Sequence, residues 1–570
     1  MDAHPYGWLS LLPPVVAIVL AIVTRRVVLS LLLGVFAGAL ITTGGAPLRA
    51  VADTLEIHLW KTLVEEDKLR VFAFTTMMGA MVGVINRSGG MRGLVEAVST
   101  WANNRRRGQL TAWALGLLVF FDDYANTVLL GSTLRPLTDR LRISREKLAY
   151  LVDSTAAPVA GLALVSTWVA GEISYVQEGL DKIQPAIEVS AFNLFLLSIP
   201  YRFYVLWTLV FVAMVAWLQR DFGPMHQAET DAVRDGVSDV RTGTRNGDAE
   251  PPLPDPTQPD PRTPSRWYNA VIPVVVTVAG ILWLMYITGL DATAPEDAVG
   301  ARGAMNIFGN ADAYYALVWG SLAGLLTAVV LGRAQRLMTG PQTLAVAGAG
   351  ARLMLPALVI LWLASALSSL TGNAPYKGDV VPTAEAAVEE DGAAAGTTGA
   401  DSYPLRYRLY TGEYLGMLMG DRLAAPLLPT VVFILAAGTA FATGTSWGTM
   451  GILMPLVVPL CYGVLRAGGA VVSPEDPILL ASVGGVLAGA IFGDHCSPIS
   501  DTTILSSQAS GCDHIAHVRT QLPYALTVAV VAIVCGTLPV GYGVPVWPLL
   551  AIGCVVMWLC LMLAGRKVSP

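Results

Sequence analysis

Charge is what this sequence has least of. Asp, Glu, Lys and Arg make up 14% of its 570 residues, where soluble proteins carry nearer a quarter. A soluble globular class is excluded. With 54% hydrophobic residues the chain reads as a polytopic membrane protein. Basic excess is lacking too: 36 Lys and Arg stand against 42 Asp and Glu, a net charge of −6, which leaves no electrostatic footprint for nucleic acid. Cysteine is scarce. Of the six, Cys461, Cys535, Cys554 and Cys560 fall in apolar segments, which excludes a secreted disulfide framework and suits small core residues. The first apolar run, Trp8 to Val23, has no Lys or Arg before it and no small-residue cleavage site after it. It reads as a retained span, not a signal peptide.

What the sequence has in plenty is apolar runs near membrane-spanning length. Eleven read as full spans, at about 7–24, 27–43, 69–86, 148–171, 191–218, 268–289, 313–332, 351–371, 478–508, 519–541 and 545–565. Two further segments, 109–138 and 424–460, are long and interrupted by polar residues near the middle. They read as re-entrant hairpins, which are tolerated only where protein or a water-filled cavity surrounds them. The expected fold is an all-α polytopic membrane protein with about 11 transmembrane helices and two re-entrant hairpins in an inverted-repeat arrangement.

Basic residues lie on both flanks of the first hairpin: Arg87, Arg92 and Arg105 to Arg107 before it, and Arg135, Arg140, Arg142, Arg145 and Lys147 at its far end. The positive-inside rule then puts both flanks in the cytoplasm. By the same alternation the N-terminus is outside, the C-terminus is cytoplasmic, and the loops 172–190, 290–312 and 372–403 are external. The chain divides into an N-terminal membrane half (1–220), a disordered cytoplasmic linker (221–266), middle transmembrane helices (267–376), a disordered external loop (377–402) and a C-terminal membrane half (403–570). The linker and the external loop lack the apolar content to fold alone.

The two halves share a pattern at their polar interruptions. Asp153-Ser154-Thr155-Ala156-Ala157-Pro158 is expected to break a helix and is followed by Ser166-Thr167 and Gly171. Asp494-His495-Cys496-Ser497-Pro498 is followed by Ser506-Ser507 and Gly511 at the same offsets from its proline. In the hairpins, Asn126-Thr127 precede Pro136 as Thr445-Ser446 precede Pro455. Broken helices in inverted repeats are how secondary transporters hold ions near the bilayer midplane.

Five aspartates fall in segments expected inside the membrane: Asp122, Asp123, Asp153, Asp494 and Asp501. A carboxylate out of water favours its neutral, protonated form, whereas a bound cation favours the ionised form. Such a group holds a proton or a metal cation, not both, which is the minimal chemistry of exchange. Asn126, Thr127, Ser154, Thr155, Thr445, Ser446, Ser497, Thr502 and Thr503 supply the neutral oxygens that hard cations prefer. The competing reading is that some of these aspartates only cap helices or pair with Arg. Asp139 and Glu146 lie among arginines and read as surface charges.

Three other patterns are weaker. His495, Cys496, Cys512, His514 and His517 match no tight zinc spacing, and His514 and His517 suit the cytoplasmic start of a helix. Gly444-Thr445-Ser446-Trp447-Gly448 fits a nucleophile-elbow pattern but lacks its strand–turn–helix context, so no enzyme is expected. Gly79 and Gly83 permit close helix packing, within the monomer before any dimer.

The stretches Phe121-Asp122-Asp123-Tyr124-Ala125-Asn126-Thr127, Gly131-Ser132-Thr133-Leu134-Arg135-Pro136, Val152-Asp153-Ser154-Thr155-Ala156-Ala157-Pro158, Thr443-Gly444-Thr445-Ser446-Trp447-Gly448-Thr449-Met450 and Gly493-Asp494-His495-Cys496-Ser497-Pro498-Ile499-Ser500-Asp501-Thr502-Thr503 resemble the NhaC-type Na+/H+ antiporter family of the ion-transporter superfamily. The run from Gly493 to Pro523 is the most specific. The resemblance implies exchange of Na+, with Li+ as a second candidate, for H+ by alternating access in a cell (inner) membrane. No cofactor and no resident metal are expected beyond the transported ions. The partners are small cations and the bilayer, with the oligomeric state open and a homodimer among the options. The runner-up is a sodium- or proton-coupled carrier of a small organic acid or amino acid, in which Arg135 could serve as a counter-ion, although its position beside Pro136 near the expected cytoplasmic end favours an anchoring role.

Overall fold

The computed structural model describes residues 4–568 apart from 25, 100, 184–188, 237–256, 258, 261, 296–297, 300–302, 304–306, 309, 373–404, 406, 412–413, 415–423 and 469–471. The N-terminal part carries α1 (Leu12–Thr24), α2 (Val27–Thr42), α3 (Pro47–Asp53), α4 (Glu66–Arg87) and α5 (Gly90–Ser99). The first hairpin is α6 (Arg105–Leu118) and α7 (Asp123–Arg140), joined by a tip at 119–122. A broken helix follows, α8 (Arg145–Ala160) and α9 (Thr167–Leu180), then α10 (Ala191–Ser198) and α11 (Phe203–Leu218). The middle holds β1 (Arg220–Asp221), α12 (Gly223–Asp235), α13 (Tyr268–Ala292), α14 (Ala313–Ala334), α15 (Gly340–Leu353) and α16 (Leu355–Thr371). The second hairpin is α17 (Leu428–Thr443) and α18 (Ser446–Ala467), followed by a second broken helix, α19 (Pro477–Cys496) and α20 (Asp501–Ser510). The chain closes with α21 (His514–Val531), α22 (Val546–Ala564) and β2 (Arg566–Lys567), which pairs antiparallel with β1.

The architecture is all-α. By length and composition, eight described helices can cross a membrane, or ten if the bent pairs α10–α11 and α15–α16 each count as one. Each of the eleven expected spans coincides with helix, but that criterion does not reach eleven. The apolar helices at α1 and α2 are shorter than it requires, and 148–171 is not one helix. Both arms of the second hairpin pass the criterion singly. That segment is therefore longer-armed than the first hairpin, not a short dip into the membrane.

The two units interlock. Each is a hairpin followed by a broken helix, and each broken helix sends its second segment to the other unit: α20 packs on α7 and α8, and α9 packs on α18. Small residues allow the close approaches. A Cβ at Gly489 or Gly493 of α19 would meet the backbone of α17 at 2.5 and 2.2 Å. Gly79 and Gly83 of α4 seat α15 in the same way, where added Cβ atoms would stand 2.7 and 2.8 Å from its carbonyls, so their spacing serves packing within the monomer.

Three expectations need correction. The first break is not at 153–158: α8 runs through Asp153 and Pro158, and the chain opens at 161–166. Pro158 lies in the last turn of α8; it removes one backbone donor there, and the helix ends two residues later at Ala160. Gly161 takes the C-cap, and Ser166 starts α9 by accepting N–H bonds from Trp168 and Val169 at 3.2 Å. The proline-based repeat register therefore fails, since Pro158 is helical and Pro498 lies in the second break, and the two caps that correspond are Ser166 and Ser500. Second, Glu172 and Glu178, expected in an external loop, are buried in α9. Third, the segment expected as a disordered linker begins with β1 and α12; Pro224 occupies the first turn of α12, and Met225, Glu229 and Ala232 form its buried stripe. Residues 237–256 and the expected external loop 377–402 lie outside the described residues.

Candidate functional site

Both hairpin tips meet at the first break. The Thr167 N–H donates to the Phe121 carbonyl at 3.0 Å, and Thr167 Oγ1 donates to Asp122 Oδ2 at 3.1 Å. From the other side Trp447, at the start of α18, packs against Trp168 with ring centroids 5.5 Å apart and planes tilted by 58°, and fills the space a Cβ at Gly171 would take. The tip of the first hairpin is held by Asn126, whose Nδ2 donates to the carbonyls of Gly116 and Val119 at 2.9 and 3.0 Å. These are end carbonyls of α6, which have no helical donor of their own. Gly444 makes the turn of the second tip with φ +69°, a backbone that favours glycine. It is pressed on the second break, with Ile499 O 2.7 Å from where its Cβ would stand.

The second break carries the densest polar contacts. Ser500 caps α20, and Thr502 Oγ1 donates to Asp494 Oδ2 at 2.7 Å. Asp153, reached from α8, accepts from Gln521 and from Thr503 Oγ1 (3.3 Å), and its Oδ2 lies 3.6 Å from His517 Nε2. Thr503 Oγ1 also reaches the Asp494 carbonyl at 3.3 Å, and Gln521 Nε2 donates to the His495 carbonyl at 2.9 Å. Four helices thus converge on Asp153 and Asp494. Tyr124 donates to Asp501 Oδ2, which bridges the first tip to α20. Hydrogen bonds string the aspartates into a row: Thr167 on Asp122, Tyr124 and the Thr502 N–H on Asp501, Thr502 Oγ1 on Asp494 and Thr503 Oγ1 on Asp153, with Asp123 beside Asp122 in sequence.

Each predicted residue can now be placed. Asp122, Asp123, Asn126, Thr127, Asp153, Ser154, Thr155, Asp494, Ser497 and Thr502 are buried. Asp501 is not; it is exposed at the mouth of this row. Several hydroxyls offered as cation ligands are spent on backbone carbonyls instead: Thr155 on Leu151 (2.8 Å), Ser446 on Ala490 (3.3 Å) and Ser497 on Phe441 (2.7 Å). Thr445 is the N-cap of α18. The oxygens left over are informative. Asp123 Oδ2, Asp153 Oδ1, Asp494 Oδ1, Asn126 Oδ1 and Thr127 Oγ1 are buried with no hydrogen-bond partner. Among the described residues, Asp123, Asp153, Asp494 and Asp501 form no ion pair with Lys or Arg. Buried polar atoms without partners are rare in native proteins and ask for an explanation.

The structure adds residues that sequence reasoning missed. His517, expected at a cytoplasmic helix start, is fully buried against Asp153 and Ser506. His495 pairs with the Tyr204 hydroxyl at 3.0 Å, and His514 with Ser507 (3.1 Å) and the Pro498 carbonyl (2.7 Å). Glu172 pairs at 2.8 Å with Arg202, whose guanidinium also binds the Gly161 carbonyl and so clamps the first break. A signal for Glu172 existed: Ser166 as N-cap followed by apolar Trp168, Val169, Ile173 and Val176 marks a new helix. Among the described residues no group of three His, Cys, Asp or Glu side chains gathers closely enough to hold a metal ion. Ser446 sits in a helix–glycine–helix turn, without the strand a nucleophile elbow needs.

Comparison with known proteins places the chain in a family. The model of the Na+/H+ antiporter family matches residues 159–381 and 408–538. An uncharacterized protein of Haemophilus influenzae is 29% identical over 525 residues, which is 91% of this chain and 88% of that protein. A second H. influenzae relative, an uncharacterized Na+/H+ antiporter, is 34% identical over 142 residues, 21% of this chain and 28% of the relative. The YdaH transporter of Alcanivorax borkumensis superposes with a TM-score of 0.47 at 14% identity, covering 92% of this chain and 90% of that one. The chain belongs to the Na+/H+ antiporter family, and it is a secondary transporter that exchanges Na+ for H+.

Proposed function

We propose that Asp153 and Asp494 are the groups at which Na+ and H+ compete, and that Asp123 and Asp501 pass ions along the row. The carrying observation is the unpartnered buried oxygens of Asp123, Asp153 and Asp494, with no Lys or Arg to neutralise them. A carboxylate held this way must be protonated or carry a cation. Asn126 Oδ1 and Thr127 Oγ1 add neutral oxygens near the first tip. His517 stands where it can accept or return the Asp153 proton. Coupling follows if the empty, charged row is barred from reorienting, so that a proton or a cation must ride. The scheme uses no cofactor and no enzymatic step.

The proposed setting is a cell (inner) membrane with the N-terminus outside and the C-terminus cytoplasmic. The basic residues Arg105, Arg142, Arg145 and Lys147 gather at the end of the bundle that carries α12 and the β1–β2 ribbon, which supports that orientation by the positive-inside rule. The test is proton flux in sealed proteoliposomes with an acid-inside pH gradient. Added Na+ or Li+ should collapse the gradient in wild type and fail to do so in Asp494→Asn. No response to any cation in folded wild type would sink this assignment. Counterflow of a labelled organic acid or amino acid would favour the carrier reading instead.

A further inference from the structure

Helix α6 begins with three consecutive arginines, and they do different things. Arg105 pairs with the buried Glu229 of α12. Arg106 lays its guanidinium over the Trp217 ring, 3.6 Å from the centroid, and Arg107 lies over Trp101 at 5.3 Å. Among the described residues neither Arg106 nor Arg107 pairs with a carboxylate; the hydrogen bond found for either side chain is from Arg107 to Asn103 Oδ1, at 3.2 Å. A guanidinium stacked on a ring keeps in-plane donors for a bidentate oxyanion.

Below these arginines runs an apolar groove of about 660 Å³. One wall is Leu110, Trp113 and Ala114 of α6, one and two turns past Arg106 on the same face. The floor is Val210, Ala213, Met214 and Trp217 of α11, and Trp558 of α22 closes the far side. The Trp113 indole N–H is already bound to the Leu209 carbonyl at 3.0 Å, so the groove presents ring faces and methyl groups. It opens outward: Trp101, Trp217 and Trp558 are 51%, 59% and 43% exposed on the surface of a chain that lives in a bilayer.

We propose that this groove is a binding site for one anionic phospholipid, its phosphate on Arg106 and Arg107 and an acyl chain along α6 and α11. Interfacial tryptophans alone are common and would need no ligand. Two uncompensated guanidiniums held by indoles at the head of an apolar channel match both ends of an anionic lipid, in charge and in polarity. The site is separate from the ion row, and the proposal stands whether or not the assignment of Asp153 and Asp494 holds.

Native mass spectrometry of the full-length chain, titrated with phosphatidylglycerol and with phosphatidylcholine of the same acyl chains, tests it. Two arginines near a lipid headgroup correspond to about a 30-fold preference for the anionic lipid. Wild type should retain phosphatidylglycerol by about that margin, and Arg106→Ala with Arg107→Ala should hold the two lipids equally. A measurement on wild type alone guards against a misfolded variant: brominated phosphatidylglycerol should quench tryptophan fluorescence more than brominated phosphatidylcholine at equal mole fraction. Equal retention in wild type, or a preference that survives the double substitution, overturns the proposal. So does a dimer mass that Ala213→Trp dissociates, which would give the groove to a second copy of the chain.

Discussion

Two populations of buried acids share this molecule. Glu172, Glu178, Asp221 and Glu229 each have a basic partner: Arg202, Lys68, Lys147 and Arg105 respectively. Among the described residues Asp123 and Asp494 have none, and Asp153 has no Lys or Arg, only His517 at 3.6 Å. Both sets are equally hidden from solvent, so burial does not separate the acids held in ion pairs from those proposed to carry ions; a Lys or Arg partner does. The paired acids sit at joints. Glu172 with Arg202 clamps the first break, Asp221 ties β1 to Lys147 of α8 and to the Tyr524 hydroxyl at 2.7 Å, and Glu229 pins α12 to the Ser144 N–H at 2.7 Å. The acids without a Lys or Arg partner sit at the meeting point of the two interlocked units, where the proposed exchange would take place.

The comparison makes predictions, the largest first. Asp494→Asn should reduce Na+-driven collapse of the pH gradient to background while the melting temperature stays near wild type, because the amide keeps the Thr502 contact and loses only the titrating charge. Glu172→Gln should do the reverse and cost about 3–5 kcal/mol of stability by stranding Arg202. Glu172→Leu with Arg202→Met should recover most of that in the same thermal melt. If Glu172→Gln melts normally but abolishes exchange, Glu172 belongs with the working acids and the division breaks. Tyr124→Phe removes one hydrogen bond to Asp501 and should slow exchange about fivefold, corresponding to about 1 kcal/mol. Ser446→Ala should be the mildest change, with exchange retained, since its hydroxyl makes a single 3.3 Å contact with a carbonyl. Complete loss there would reopen the nucleophile reading.

Much of this was legible in the chain, for physical reasons that differ from residue to residue. Asp494 and Asp501 stood out because charge in an apolar run is costly and rarely idle, and the second break fell where Pro498 indicated. Asn126-Thr127 and Thr445-Ser446 both lie near the start of a hairpin's second arm but at different positions, since Thr445 is the N-cap of α18 whereas Asn126 is the fourth residue of α7. Pro158 misled because a proline in the last turn of a helix need not break it. Ending that span at Gly171 then pushed Glu172 and Glu178 into an imagined loop. His517 was out of reach of local pattern altogether: it owes its burial to Asp153, hundreds of residues earlier. Helix α12 hid in a polar stretch because its apolar stripe is short and one of its buried positions is an acid, Glu229.

Because Asp221 and Arg566 face each other across β1 and β2, the chain leaves one bilayer surface at the ribbon and comes back to that same surface. The number of crossings in between is therefore even. Helices α13 and α14, the bent pair α15–α16, and α21 and α22 supply an odd number, and the second hairpin adds none or two. Among the described residues, with α15–α16 counted as one span, that parity closes when α19 and α20 together make one passage, with Asp494 and Asp501 partway along it. The same ribbon lets one reporter serve two questions, since a tag fused after Lys567 reads the sidedness of α12 as well as that of the C-terminus.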